Sequence, residues 1–294
     1  MIISTLSHEV VVTKVDKLVT DILNSKTRIN IQKISEQLSF YCQSMILLYD
    51  HELEYTSSIK WFIGSAYLVC DNYYPDEIIW DEERTQRFLH TLNSYQYEFD
   101  TPINNFALQE QRNSKSIHQY MNYFLSEYSR VLIVRIDLKI KPDFTHLVDI
   151  ETFHSFINDL RKKLGRKRGC FKNLRGNAWA LEQGEINGGL HCHLLLIYNG
   201  DKHRQDWFLG DAVGNEWVEI TEALGTYYNC NNFKHKQAYD HQGTLGIGMI
   251  HKDNPLEVKN AMNTALYLTR PNKYMQRLKV SLPNMRSFGH GSYS

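Results

Sequence analysis

No stretch of this chain is apolar for long enough to cross a bilayer. The longest run, Trp61 to Cys70, lies between Lys60 and Asp71 and is about half of the roughly 20 residues a spanning helix needs. It reads as a buried helix. The first twenty residues lack a basic flank followed by an apolar stretch and a small-residue cleavage site, so export is not expected. Cysteine is scarce and unpaired: five residues (Cys42, Cys70, Cys170, Cys192, Cys230) with no CxxC spacing. Free thiols in a reducing compartment are expected, and with them a cytoplasmic location and no membrane partner. There is no internal repeat and no low-complexity tract. With 42% hydrophobic and 12% aromatic residues, wholesale disorder is excluded. The 294 residues suffice for one large domain or two ordinary ones.

Net charge is also absent, 33 Lys and Arg against 33 Asp and Glu, but the balance is uneven along the chain. Residues 1–130 carry 17 acids and 11 bases (−6), and residues 131–294 carry 16 acids and 22 bases (+6). The basic half suggests a polyanionic partner. Its densest part holds Arg161, Lys162, Lys163, Arg166, Lys167, Arg168, Lys172 and Arg175 with no acid among them. A solvated helix end accounts for such a run through the helix dipole. A phosphate-facing patch accounts for it through counterion release.

Periodicity divides the chain in two. Ile31–Tyr49 and Ser57–Cys70 carry apolar residues at helical spacing, and Asp81–Leu92 opens on Asp81, Glu82 and Glu83, as a helix start does. Thr101–Lys115 is polar, contains Pro102 and reads as a linker. This gives a helical N-terminal region over 1–115, to which no chemistry attaches, and a second domain over 116–294. There Val131–Ile140 alternates as a strand with one buried face. Glu151–Leu164 is an amphipathic helix. Strands follow at Asn177–Gln183 and Leu190–Tyr198, then a helix near Gly214–Leu224, a strand near Thr244–His251 and a helix over Pro255–Thr269. The expected class is α+β, an antiparallel sheet with helices largely on one face.

The segment Leu190–Ile197 places His191 and His193 two positions apart on a strand, hence on one face, while Cys192, Leu194 and Leu196 face the core. Asn187-Gly188 is a strong signal for a two-residue type I′ hairpin. With that turn, cross-strand partners sum to 375, so Glu182 opposes His193 and Gly184 opposes His191. Glu182, His191 and His193 then converge on one patch, with Trp179 and Leu181 on the reverse side and Gln183 a polar misfit there. Two imidazoles and a carboxylate suit a divalent ion, Mg²⁺ or Mn²⁺ where the substrate is a phosphate. The bland alternative is a half-solvated strand with polar residues on one face.

Within Pro255–Thr269, Asn263, Tyr267 and Arg270 share a side, and Pro271 disfavours helical geometry at Arg270. Tyr267 therefore falls in the last turn. Plain packing is the ordinary role of such an aromatic. Beside a metal patch it becomes a candidate nucleophile, with Tyr274 as its rival.

Gly188-Gly189-Leu190-His191-Cys192-His193-Leu194-Leu195-Leu196, followed by Tyr267-Leu268-Thr269-Arg270, resembles the HUH endonucleases. Among them it is most similar to the rolling-circle replication initiators of plasmids and filamentous phages, the inoviral gene II protein type. The resemblance covers roughly residues 125–280. It implies an antiparallel-sheet catalytic domain of ferredoxin- or RRM-like kind and a metal held by His191, His193 and Glu182. It implies Tyr267 as a nucleophile forming a 5′-phosphotyrosine, with Arg270 or Lys273 stabilising charge and Arg135 or Asp137 as positioning groups. Many relatives have Lys where Arg270 stands, and the two cations are not equivalent. The implied substrate is single-stranded DNA or a DNA hairpin, gripped by the basic segment Arg161–Arg175, with Trp179 or Phe171 stacking a base. Host replication proteins are further partners the resemblance allows. The competing readings are a non-catalytic nucleic-acid-binding module, a metal phosphoesterase using water, and an HUH transposase or relaxase.

Overall fold

The N-terminal helices and the sheet share one hydrophobic core in this computed structural model, which describes residues 6–25, 29–70, 74 and 77–293. In chain order the N-terminal elements are α1 (His8–Asn24), α2 (Ile31–Leu48), β1 (Glu54–Tyr55), α3 (Ser57–Cys70) and α4 (Glu82–Asn93). Each of α1, α2 and α4 begins at a residue whose side chain accepts a backbone N–H: Ser7, Asn30 and Asp81. Such caps satisfy donors that a helix start leaves orphaned. No described helix is long and apolar enough to cross a membrane.

The expected linker is instead the first half of α5 (Asp100–Glu127), a helix of 28 residues. Pro102 falls at its third position, where no intrahelical donor is required, so it opens the helix rather than breaking it. The C-terminal half of α5 is amphipathic, burying Ile117, Tyr120, Met121, Phe124 and Leu125.

The remaining elements are β2 (Arg130–Ile140), α6 (Ile150–Arg166), β3 (Leu174–Gln183), β4 (Leu190–Asn199), α7 (Asp206–Ile220), β5 (Gly225–Asn229), α8 (Phe233–Asp240), β6 (Gly248–His251), α9 (Pro255–Leu266), β7 (Val280–Ser281) and β8 (Phe288–His290). The α+β class is as expected. The sheet runs β5-β2-β4-β3-β8, with β6 also on β2, and every pairing is antiparallel. Strand β2 is central: its start pairs β6, its end pairs β5, and its other edge pairs β4.

Helices cover both faces of this sheet, not mainly one. Leu132, Val134, Ile136, Leu138, Trp179, Leu181, Cys192, Leu194 and Leu196 join the core formed with α1–α4, α6 and α7. The alternate residues Val131, Ile133, Ala178, Ala180, Leu195 and Ile197 pack under α5 and α9. Burial on both faces explains why Leu194–Ile197 is a continuous apolar run. Helices α5 and α9 cover only part of their face. At the other end of the strands the outward residues turn polar: Arg135, Asp137 and Lys139 on β2, His191 and His193 on β4, and Glu182 on β3.

Candidate metal and tyrosine site

The hairpin that carries the site turns differently from expectation. Its register pairs Glu182 with His191 and Ala180 with His193, so partners sum to 373 and the loop spans four residues, 185–188. Gly184 and Gly189 close it through a 3.0 Å bond from the Gly184 N–H to the Gly189 carbonyl. Only Gly188 takes a positive φ, +65°, and a Cβ there would fall 2.2 Å from the Glu9 carbonyl oxygen. A type I′ turn needs positive φ at both central residues, and Asn187 does not supply it. The two-residue shift preserves facing, because side chains alternate with a period of two. Glu182, His191 and His193 therefore still share a face.

Gln183, the misfit on the reverse side, is fully buried and bonded. Its amide donates to the Glu9 carbonyl (3.3 Å) and its oxygen accepts the Lys279 N–H (2.8 Å). It fastens α1 and the C-terminal segment to the hairpin.

The donor atoms of Glu182, His191 and His193 lie within 4.8 Å of one another. Glu182 Oε2 is 3.3 Å from His191 Nε2 and 3.1 Å from His193 Nε2. Each imidazole is oriented from its other nitrogen. His193 Nδ1 is 2.5 Å from Asp137 Oδ1 and His191 Nδ1 is 3.3 Å from the Gly189 carbonyl oxygen. Both acceptors call for Nδ1–H, so Nε2 of each ring is the nitrogen that donates to Glu182 here and that would turn its lone pair to an ion on losing that proton. Metal-binding histidines are held this way, and the residues fit a divalent ion. Lys273 Nζ donates to Glu182 Oε1 at 2.5 Å, leaving Oε2 for the ion.

The charges of the group are mutually supporting. Burial raises the Glu182 pKa, but hydrogen bonds from His191 and His193 and the charges of His193 and Lys273 outweigh it, so the carboxyl sits well below its usual range. Asp137 is likewise drawn down to about 2, against burial, by His193, Arg135 and Lys139. Burial lowers the His193 pKa, yet Asp137 and Glu182 bring it above the ordinary imidazole value.

Tyr267 lies directly at this group. Helix α9 ends at Leu266 and tightens into a 3₁₀ turn, Tyr267–Thr269, and Arg270 is extended as the residue before Pro271. The Tyr267 ring meets the His193 ring edge-on at 5.8 Å between centroids. Three cations face it: Lys273 Nζ at 3.8 Å, Arg135 Cζ at 4.5 Å and Arg270 Cζ at 4.6 Å from the ring centre. Ser114 of α5 bonds both the Thr269 hydroxyl and its carbonyl at 2.8 Å, pinning the turn. Tyr274 packs elsewhere, against Phe106 (5.5 Å) and under Arg277 (3.8 Å).

The basic segment does not join this group. Its helix α6 packs in the core on the opposite face of the sheet, with Phe153, Ile157, Leu160 and Leu164 buried. Lys163 pairs with Glu216 of α7 (2.5 Å) and Lys162 with Asp159 (2.8 Å). Arg161, Lys162, Lys167 and Arg175 border a groove of about 630 Å³ near β8. Arg166 ends α6, Arg168 caps the following 3₁₀ turn at its N-terminal side, and Lys172 caps that turn at its other end. Phe171 is buried, and Trp179 is 6% exposed beneath Arg161, so neither presents a free face to a base.

Sequence reasoning missed the contribution of α5. Glu110, buried on α5, lines a cavity of about 240 Å³ with Glu182, Lys273 and Phe106, and burial raises its pKa. The polar composition that suggested a linker was its only signal.

No curated protein and no solved structure matches this chain. A family model described as the YagK/YfjJ C-terminal domain does match, over residues 92–291, from the end of α4 through β8 and including every residue of the site. That span exceeds half of the chain, and the protein belongs to the YagK/YfjJ C-terminal domain family.

Proposed function

We propose that the protein nicks and rejoins single-stranded DNA by covalent catalysis, with Tyr267 as the nucleophile. The observation that carries this reading is the setting of Tyr267. Its ring meets a histidine of the ligand group at 5.8 Å and is surrounded by Lys273, Arg135 and Arg270. Plain packing would not gather three cations and a metal-type donor set around one partly buried tyrosine ring.

His191, His193 and Glu182 would hold a divalent ion, Mg²⁺ or Mn²⁺, which would polarise a phosphoryl oxygen and offset its negative charge. The chain's own residues do the rest. Asp137 and the Gly189 carbonyl keep the imidazoles in the metal-binding tautomer. The Ser114 bonds hold the 3₁₀ turn so that the phenol stays over the site. The Tyr267 oxygen attacks phosphorus as its phenolic proton passes to water, the bond from phosphorus to the 3′ oxygen breaks, and that leaving oxygen takes up a proton from water. The products are an aryl phosphodiester and a free 3′-hydroxyl, and attack by a 3′-hydroxyl reverses the step. Arg135, Arg270 and Lys273 face the charge that accumulates on the phosphoryl oxygens. Assignment to rolling-circle replication rests on the motif resemblance alone.

The test is incubation of the full chain with a labelled single-stranded or hairpin oligonucleotide and Mn²⁺. A covalent protein–DNA adduct is expected, absent in Tyr267→Phe and in chelator. Cleavage that survives Tyr267→Phe but not His193→Ala identifies a water-using phosphoesterase instead. Binding without any cleavage identifies a non-catalytic module.

A further inference from the structure

Strand β5 adds a feature to the metal-bearing face that the motifs did not mark. Tyr228 is the direct partner of Asp137, and Asp137 is in turn the partner of His193. Directly opposed residues project to the same side, so Tyr228 rises from the face that carries the ligand group. It stands two strand spacings from His193, about 10 Å. Its neighbour Tyr227 points to the other side, against Gly214 of α7.

Helix α8 extends this feature. Tyr228 and His235 rings lie 5.7 Å apart, and His235 meets Tyr239 at 4.8 Å with planes tilted by 33°. Tyr228 and Tyr239 are each 44% exposed, unusual for aromatics that also pack on one another. The three rings form a continuous ledge. Arg135, already over the Tyr267 ring, stands on the same face two positions before Asp137, the partner of Tyr228. Lys139 is exposed on the same face, paired with Thr226 of β5 on one side and His191 of β4 on the other. Half-exposed aromatic rings with cations beside them are what a single strand needs, stacking surfaces for bases and charge for phosphates.

We infer that Tyr228, His235 and Tyr239 form a base-stacking subsite for the nucleotides adjoining the phosphate at Tyr267, with Lys139, beyond Tyr228, taking a phosphate. The inference rests on the reading of this face as a single-stranded DNA site, and it replaces the buried Trp179 and Phe171 as the stacking groups.

The test is equilibrium binding of a fluorescein-labelled, mixed-sequence DNA oligonucleotide to the full chain in chelator, where no turnover occurs. The double variant Tyr228→Leu/Tyr239→Leu keeps apolar bulk without the π faces. It is expected to bind single strands at least about fivefold more weakly. The Phe pair should retain wild-type affinity, and an oligonucleotide of abasic sites should bind wild type and the Leu pair alike. With nicking substrates, KM should rise while the single-turnover rate at saturation stays unchanged. Equal affinity of wild type and the Leu pair for the intact strand overturns the inference, as does an equal loss on abasic DNA. If the Leu pair does not fold, the wild type decides: it must bind abasic DNA at least fivefold more weakly than intact DNA, and equal affinity overturns the inference. Stacking without any adduct leaves the subsite standing and removes the nicking reaction. Adduct formation with an unchanged KM in the Leu pair does the reverse.

Discussion

At His193 two carboxylates compete for one ring: Asp137 takes Nδ1 at 2.5 Å and Glu182 lies 3.1 Å from Nε2. Only the second contact is replaced when an ion binds, because Asp137 lies on the far side of the ring. Asp137→Asn keeps the shape of that support and loses its charge. Partners of this kind typically set 10–100-fold in metal affinity. Titration calorimetry with Mn²⁺ is expected to show a loss of about tenfold or more for Asp137→Asn, with the melting temperature close to wild type. Unchanged affinity would mean that Asp137 orients nothing. The chemistry-bearing residue types were legible at this scale: two histidines at strand spacing and a tyrosine before Arg270-Pro271 are local patterns. The motif resemblance offers Lys273 for charge stabilisation, but its bond to Glu182 depends on how the chain after Pro271 folds back, which no spacing encodes.

Among the elements, the β3–β4 hairpin decides whether the ligands meet. Its four-residue loop makes Gly188 the demanding position and Asn187 an ordinary exposed one. Gly188→Ala must place a Cβ against the Glu9 backbone and hold a positive φ, and is expected to cost more than about 2 kcal/mol in urea unfolding. Asn187→Ala should change stability by less than about 0.5 kcal/mol. A type I′ turn would make Asn187 costly as well, so the pair of measurements distinguishes the two registers. The dipeptide Asn-Gly announced a turn but not its length. The loop packs against the Glu9 backbone of α1, a contact from a distant segment. The polar first half of α5 misled for a related reason: it buries fully only Glu110, and the apolar helical periodicity lies in the second half.

Across the whole molecule, the N-terminal helices and the family-matched segment are bound by buried charge as well as by the shared core. Arg277 donates to both oxygens of the fully buried Asp16, at 2.7 and 3.3 Å. Breaking a buried pair from one side leaves a charge without compensation. Asp16→Ala is expected to cost about 3–5 kcal/mol, read by chemical denaturation. Residues 92–294 expressed alone should lack a cooperative unfolding transition, because the core they share with α1–α4 would be left open.

Glu9 contributes a pH dependence. Burial lifts its pKa from the usual range to about 7, and Oε1 has no hydrogen-bond partner among the described residues. A carboxyl whose folded pKa is raised favours the native state below its unfolded pKa. That contribution is lost as pH rises from about 4.5 through about 7. Relative to wild type, Glu9→Gln is expected to gain on the order of 3 kcal/mol between pH 4.5 and pH 8, measured as the difference between their stability profiles. A constant difference across that range would contradict the assignment.

Sequence alone determined the α+β class, the strands β2, β3 and β4, the end of α9 before Pro271, and the shared facing of Glu182, His191 and His193. These follow from periods of 2.0 and 3.6 and from proline sterics, which act over a few residues. Tertiary structure decided the hairpin register, the helices on both faces, the removal of the basic α6 from the tyrosine's side, and the placing of Tyr228 beside Asp137. Those depend on which distant segments pack together, and packing energy belongs to pairs of surfaces that no single stretch of chain contains.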